Sequence, residues 1–64
     1  MSEQSKFQLN LARISLEESS RRVISASLSA QKAGDKELEI RLLDLAGELD
    51  AVANEIQKRN RDSR

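Results

Sequence analysis

Six serines lie between Ser15 and Ser29, and such a cluster is where nucleophilic chemistry would first be sought. A serine oxygen attacks only when a neighbouring base takes its proton and when donors hold the oxyanion that forms. The chain has no histidine and no cysteine, so only serine–lysine or carboxylate schemes remain, and no glycine-rich loop stands near the cluster to supply an oxyanion hole. These serines read as solvated or small interface positions. Asp44 and Glu48, one helical turn apart, could share a hard cation, but two carboxylates on an open helix surround too little of an ion that seeks six or more oxygens. They read as solvated charge. With no thiolate or imidazole there is no zinc site of the usual kind and no disulfide. The residue types therefore point to no enzyme, no cofactor and no small-molecule substrate.

What remains is binding. Lys6, Asn10 and Arg13 stand four and three residues apart, on neighbouring turns of one helical face, where two cations and an amide could meet phosphates or a partner protein. The closing stretch QKRNRDSR is basic too, although cations at a helix C-terminus are favourable with no ligand at all. The formal net charge is +0, from 11 basic and 11 acidic residues, so no overall field draws the chain onto RNA or an anionic membrane. Any such contact must be local. No apolar run approaches the roughly 20 residues that span a bilayer, and MSEQSKFQLN lacks the pattern of a signal sequence. The expectation is a soluble, cytoplasmic protein with no membrane partner.

These side chains need elements to hold them. With no proline, the strong punctuation is KAGDKE, where Gly34 can take the left-handed conformation that ends a helix and Asp35 can cap the next. This predicts a single domain over 1–64: helix 1 at about 3–31, a turn at about 32–35, helix 2 at about 36–60 and a short polar tail. Lys32 and Glu37 sit at the helix ends whose dipoles favour their charges. On helix 2, Leu38, Leu42, Leu45, Leu49, Val52 and Ile56 alternate at spacings of four and three, a heptad stripe. On helix 1 a weaker stripe runs through Leu9, Ala12, Leu16, Ser19, Val23, Ala26 and Ala30. The pairs Glu17–Arg21, Glu18–Arg22, Glu37–Arg41 and Glu55–Arg59 have the favoured acid-first spacing, each stabilising its helix by about 0.2–0.5 kcal/mol.

The expected fold is all-α, an antiparallel helical hairpin, with Leu9, Leu16, Val23, Leu38, Leu42, Leu45, Leu49, Val52 and Ile56 as the core of the hairpin or of its dimer. Phe7, Leu11, Ile14, Ile24, Leu28, Ile40 and Leu43 lie beside the stripes and widen the apolar surface. Burying a large apolar side chain contributes about 1.5–3 kcal/mol, against roughly 1.5 kcal/mol to order each residue. A lone hairpin leaves one side of its stripes wet. A homodimer forming a four-helix bundle covers it, and a different protein completing the hairpin is the alternative. Gly47, in the middle of helix 2, should cost about 1 kcal/mol against alanine. Together with Ala46, Ala51 and Ala53 it makes a small-residue strip, either a crowded helix crossing within the dimer or a groove for a partner helix.

The stretch MSEQSKFQLNLAR resembles the start of the Rop family of plasmid-encoded antisense-RNA-binding proteins in Met1, Gln4, Lys6, Leu9, Asn10, Ala12 and Arg13, and DLAGEL adds Asp44, Ala46, Glu48 and Leu49. The resemblance implies a homodimeric antiparallel four-helix bundle that holds two RNA loops on the outer faces of its paired first helices. By that resemblance Asn10 belongs to the RNA-contacting face, with Lys6 and Arg13 adding charge beside it. The chain departs from the family where Ile14 stands at its key aromatic, Glu18 at a glutamine and Glu3 at a basic position. The turn is also longer by one residue, and Leu16 is favoured where the family buries the preceding position. Stacking wants an aromatic face, and carboxylates repel phosphate. LAGELD also resembles the signature of helical-hairpin aspartyl-phosphate phosphatases of the sporulation type, in Glu48, Leu49 and Asp50, but Ala46 stands at the serine. The function expected is a small non-enzymatic regulator, an inhibitor or adaptor of the kind phages and plasmids encode, acting by protein–protein binding; the alternative is a Rop-like RNA-binding regulator using helix 1.

Overall fold

The computed structural model describes residues 2–62. Met1, with its share of the N-terminal resemblance, and Ser63 and Arg64 of the polar tail lie outside the described residues. The described chain is all-helical: α1 spans Glu3–Lys32 and α2 spans Lys36–Asp62, packed against each other as a hairpin. Both ends of α1 are built from local chemistry. Ser2, extended at φ −71° and ψ 160°, accepts the Ser5 N–H on its hydroxyl oxygen at 3.1 Å, which satisfies one of the orphan donors of the first turn.

At the other end Gly34 takes φ +78°, the conformation only glycine adopts at little cost. The Gly34 N–H reaches the Gln31 carbonyl at 3.0 Å and the Asp35 N–H reaches the Ala30 carbonyl at 2.9 Å, the paired bonds of a Schellman motif. Asp35 then caps α2, its carboxylate accepting the Leu38 N–H at 3.1 Å. One glycine and one aspartate thus end one helix, reverse the chain and start the next. Helix 2 continues to Asp62, slightly beyond the expected end.

The helices meet along a line that repeats every three and four residues. On α1 the residues turned from solvent are Lys6, Leu9, Arg13, Leu16, Ser20, Val23, Ser27 and Ala30, with Glu17 partly shielded beside Arg13; on α2 they are Glu39, Leu42, Ala46, Leu49, Ala53, Ile56 and Asn60. Every other position agrees with the sequence stripes. Between them the seam moves by one residue: Arg13, Ser20 and Ser27 replace Ala12, Ser19 and Ala26, and Glu39, Ala46 and Ala53 replace Leu38, Leu45 and Val52. The latter three, expected in the core, are exposed at 43–46% and lie on the flank of the hairpin. The cause is size. Among the described residues the buried side chains are Ser20, Ser27, Ala30, Ala46 and Ala53, all small, so the two backbones come close and larger side chains are displaced to either side.

Ser20, 1% exposed, uses its position twice, filling the crossing and donating its hydroxyl to the Ala46 carbonyl of the other helix at 3.3 Å. Ser27 instead donates to the Ile24 carbonyl of its own helix at 2.6 Å. Glu37–Arg41 and Glu55–Arg59 pair at 3.7 and 2.7 Å as their spacing suggests. Glu17 pairs with Arg13 in place of Arg21. Because Ala53 sits in the seam at 1% exposure, Ala53→Leu should destabilise the protein by about 1–3 kcal/mol through overpacking, even though it adds apolar volume. Urea unfolding followed by circular dichroism measures it, and an unchanged or raised midpoint would mean that the helices are not held close at that point.

Candidate functional site

The hairpin is 47 × 14 × 10 Å, a layer only one helix thick, so it has two broad faces and no interior between them. Each helix enters the seam along two tracks. Leu9, Leu16, Val23 and Ala30 of α1 and Leu42, Leu49 and Ile56 of α2 form one pair of tracks; Lys6, Arg13, Ser20 and Ser27 with Glu39, Ala46, Ala53 and Asn60 form the other. In an antiparallel pair, like tracks of the two helices border the same face. One face is therefore edged by leucines and the other by polar and small residues. A shallow cleft of about 250 Å³ agrees with this assignment, since Leu9 of α1 lines it together with Val52, Ile56, Glu55 and Arg59 of α2.

Beside the tracks of the leucine-edged face stand Ala12, Ser19 and Ala26 on α1 and Leu38, Leu45 and Val52 on α2. These are the remaining members of the two stripes legible in the sequence. None of these six is ionisable, but at the end remote from the turn the α2 track continues in Arg59, paired with Glu55 at 2.7 Å beside the cleft. The polar-edged face differs in kind. It carries Lys6, Arg13, Glu17, Lys36, Glu39 and Asp50, together with an apolar patch near the turn made by Ile24, Leu28, Ile40 and Leu43. Phe7, Leu11 and Ile14 extend apolar surface along the outer side of α1 towards its N-terminus, with Phe7 60% exposed.

The binding trio of α1 is brought together, but in a particular way. Arg13 Nη1 donates to both carboxylate oxygens of Glu17 at 3.0 Å, while its Nε and Nη2 donate to Asn10 Oδ1 at 3.2 and 2.9 Å. The Arg13 side chain is only 20% exposed, its stem lying in the seam. Its charge is balanced and its donors are engaged within its own helix, and the Asn10 carbonyl oxygen is occupied by the same guanidinium. A phosphate approaching Arg13 would meet the Glu17 carboxylate beside it. Lys6 is half-buried in the seam two turns before Arg13.

Gly47 and the small-residue strip divide between two environments. Ala46 and Ala53 are buried in the seam, whereas Gly47 and Ala51 are exposed, and a Cβ placed on Gly47 would meet nothing within 4 Å. No crossing inside the hairpin requires that glycine. Asp44 and Glu48 are both exposed, and among the described residues no three His, Cys, Asp or Glu side chains stand where they could hold a metal ion. Among the same residues no helix is long and apolar enough to cross a membrane.

The seam residues that lie outside the two hydrophobic stripes had a signal of their own: Ser20 and Ser27, and Ala46 and Ala53, are small residues seven apart, the serines already read as candidate interface positions and the alanines as part of a small-residue strip. In class the chain is a bare helical hairpin with large apolar side chains on both faces. No protein-family model, curated protein or solved structure matches it. Since open space surrounds Gly47, Gly47→Ala should stabilise the isolated protein by about 0.5–1 kcal/mol, the propensity gain of alanine in an exposed helix interior. A chemical denaturation curve checks this, and a loss of stability would mean that another backbone occupies that space in solution.

Proposed function

We propose that this chain is a small non-enzymatic regulatory protein that works by binding another protein, and that it does so as a homodimer in which two hairpins complete a four-helix bundle. One observation carries the reading. Ten large apolar side chains are exposed, at 41–60%, whereas the buried apolar residues among those described are three alanines. Isolated surface leucines are ordinary, but contiguous apolar surface on both faces of a thin layer marks contact surface. A second hairpin can cover one face of the first. The patch of Ile24, Leu28, Ile40 and Leu43, with the open space over Gly47 beside it, is then left for a different protein.

An RNA-binding role for α1, as the Rop-like resemblance implies, has Lys6, Asn10 and Arg13 on one side of the helix in its favour. Against it stand the Arg13–Glu17 pair and the absence of an aromatic at Ile14, so protein binding is the better-supported reading. The two are separated by affinity capture from cells of the source organism, using the unaltered chain and Ile24→Asp/Leu43→Asp. Capture of a defined protein that falls about tenfold or more in the double variant, while the hairpin stays helical, is the expected result, because an unpaired charge in an apolar contact costs several kcal/mol. Recovery of RNA and no protein, with binding that weakens steeply as salt rises, would overturn it in favour of phosphate recognition.

A further inference from the structure

We propose that the leucine-edged face is the surface on which a second copy of this chain lies, and that α1 of each copy packs there against α2 of the other, with both turns at the same end of the bundle. This rests on the pairing read above and adds its surface and its topology. Area comes first. The chain exposes 4911 Å², whereas a compact protein of 7.2 kDa exposes about 4100 Å². The surplus of roughly 800 Å² is what each partner contributes to a stable interface of standard size. The radius of gyration agrees: it is 14.7 Å, against about 11 Å for a compact chain of this length.

Charge then selects the face. Covering the polar-edged face would take the Arg13–Glu17 pair and the half-buried Glu39 out of water, with nothing opposite to satisfy them except the same groups repeated by symmetry. The central band of the leucine-edged face carries no ionisable group on its tracks from Leu38 to Ile56, and the Glu55–Arg59 pair beside it stands at the end remote from the turn, 57% and 71% exposed, where it can stay in water. Its leucine track is only half-buried by the hairpin itself, so it still has surface to lose.

Relief gives the topology. Beside the seam, the α1 side is low, with Ala12, Ser19 and Ala26, and the α2 side is high, with Leu38, Leu45 and Val52, both at the same seven-residue period. A two-fold axis along the length of the hairpin brings the high side of each copy over the low side of the other, so three large side chains enter three gaps in a single register. An axis across the hairpin would instead set leucine against leucine and leave the low sides facing each other over a void. The same self-complementarity explains why the two stripes differ in size.

The chain has no cysteine, so single cysteines report without interference. Sedimentation of the unaltered protein should give twice the monomer mass, and a monomer at all concentrations would remove the pairing itself. In Leu45→Cys, thiol labelling should slow about tenfold as protein concentration is raised through the association range, by mass action. In Leu43→Cys, on the other face, it should not change. A dimer in which Leu45→Cys labels as fast as Leu43→Cys would overturn the choice of face while leaving pairing intact. Spin labels on Asp35→Cys should lie well within the 47 Å length of the hairpin from each other, and a separation near that length would overturn the shared-end topology. Leu45→Asp should lose pairing and helicity together; since it could fail for want of folding alone, the cysteine variants decide.

Discussion

Two helices side by side can cover each other along one line only, and the rest of this molecule follows from that. Ser20, Ser27, Ala30, Ala46 and Ala53 occupy the line, so the backbones approach closely and the Ser20 hydroxyl can reach across to the Ala46 carbonyl. Close approach favours dispersion between backbones, but small side chains bury little apolar area. The leucines that could bury more are pushed to the borders, where half of each remains in water. A tight seam and a wet exterior are therefore one fact. A hairpin with large side chains on the line would hold its helices further apart and hide more of its own surface, with less left to offer a partner.

The turn was fully legible because its chemistry is local. A left-handed glycine followed by a capping aspartate can be recognised without knowing what the helices pack against, and Gly34 and Asp35 do in the structure what their types require. The seam was only half legible. Leu9, Leu16, Val23, Leu42, Leu49 and Ile56 belong to both the hydrophobic stripe and the contact line, but between them hydrophobicity prefers Leu45 to Ala46 and Ala12 to Arg13. The difference is one heptad position, a rotation of about 50° around each helix. A hydrophobic stripe records all the surface a helix is built to bury, against every partner it has. The contact line within one chain records only where the nearest neighbour lies, and that is decided by which residues are small.

The same limit acted on the binding residues of α1. Spacing places Lys6, Asn10 and Arg13 on adjoining turns, and the structure keeps them there. Spacing also allows Glu17 two arginine partners, Arg13 before it and Arg21 after it, and the acid-first order favours Arg21 in an isolated helix. Packing reverses that preference. Arg13 is at the seam, with its stem covered and its guanidinium also held by Asn10, so less side-chain freedom is lost when Glu17 joins it than when Glu17 meets the exposed Arg21. The consequence is electrostatic: a charge that looks free in the sequence is neutralised in the fold, and the outer face of α1 loses much of its appeal to phosphate.

A pair closed over the leucine-edged faces turns its two polar-edged faces outward in opposite directions. Symmetry then presents the Ile24, Leu28, Ile40 and Leu43 patch twice, once on each side of the bundle. A partner with two suitable segments and a linker long enough to span the bundle would bind far more tightly than either contact alone allows. A partner with one segment would bind at two equivalent, separate places. In the proposed pair each hairpin would owe much of its burial to the second copy, so a ligand of the outer patches would also favour the paired state, and dilution that separates the pair would weaken the outer contact. On the proposed reading, self-association and partner binding would be coupled through the thinness of the layer: each helix gives a small-residue side to its neighbour, and its large side chains stay at the surface.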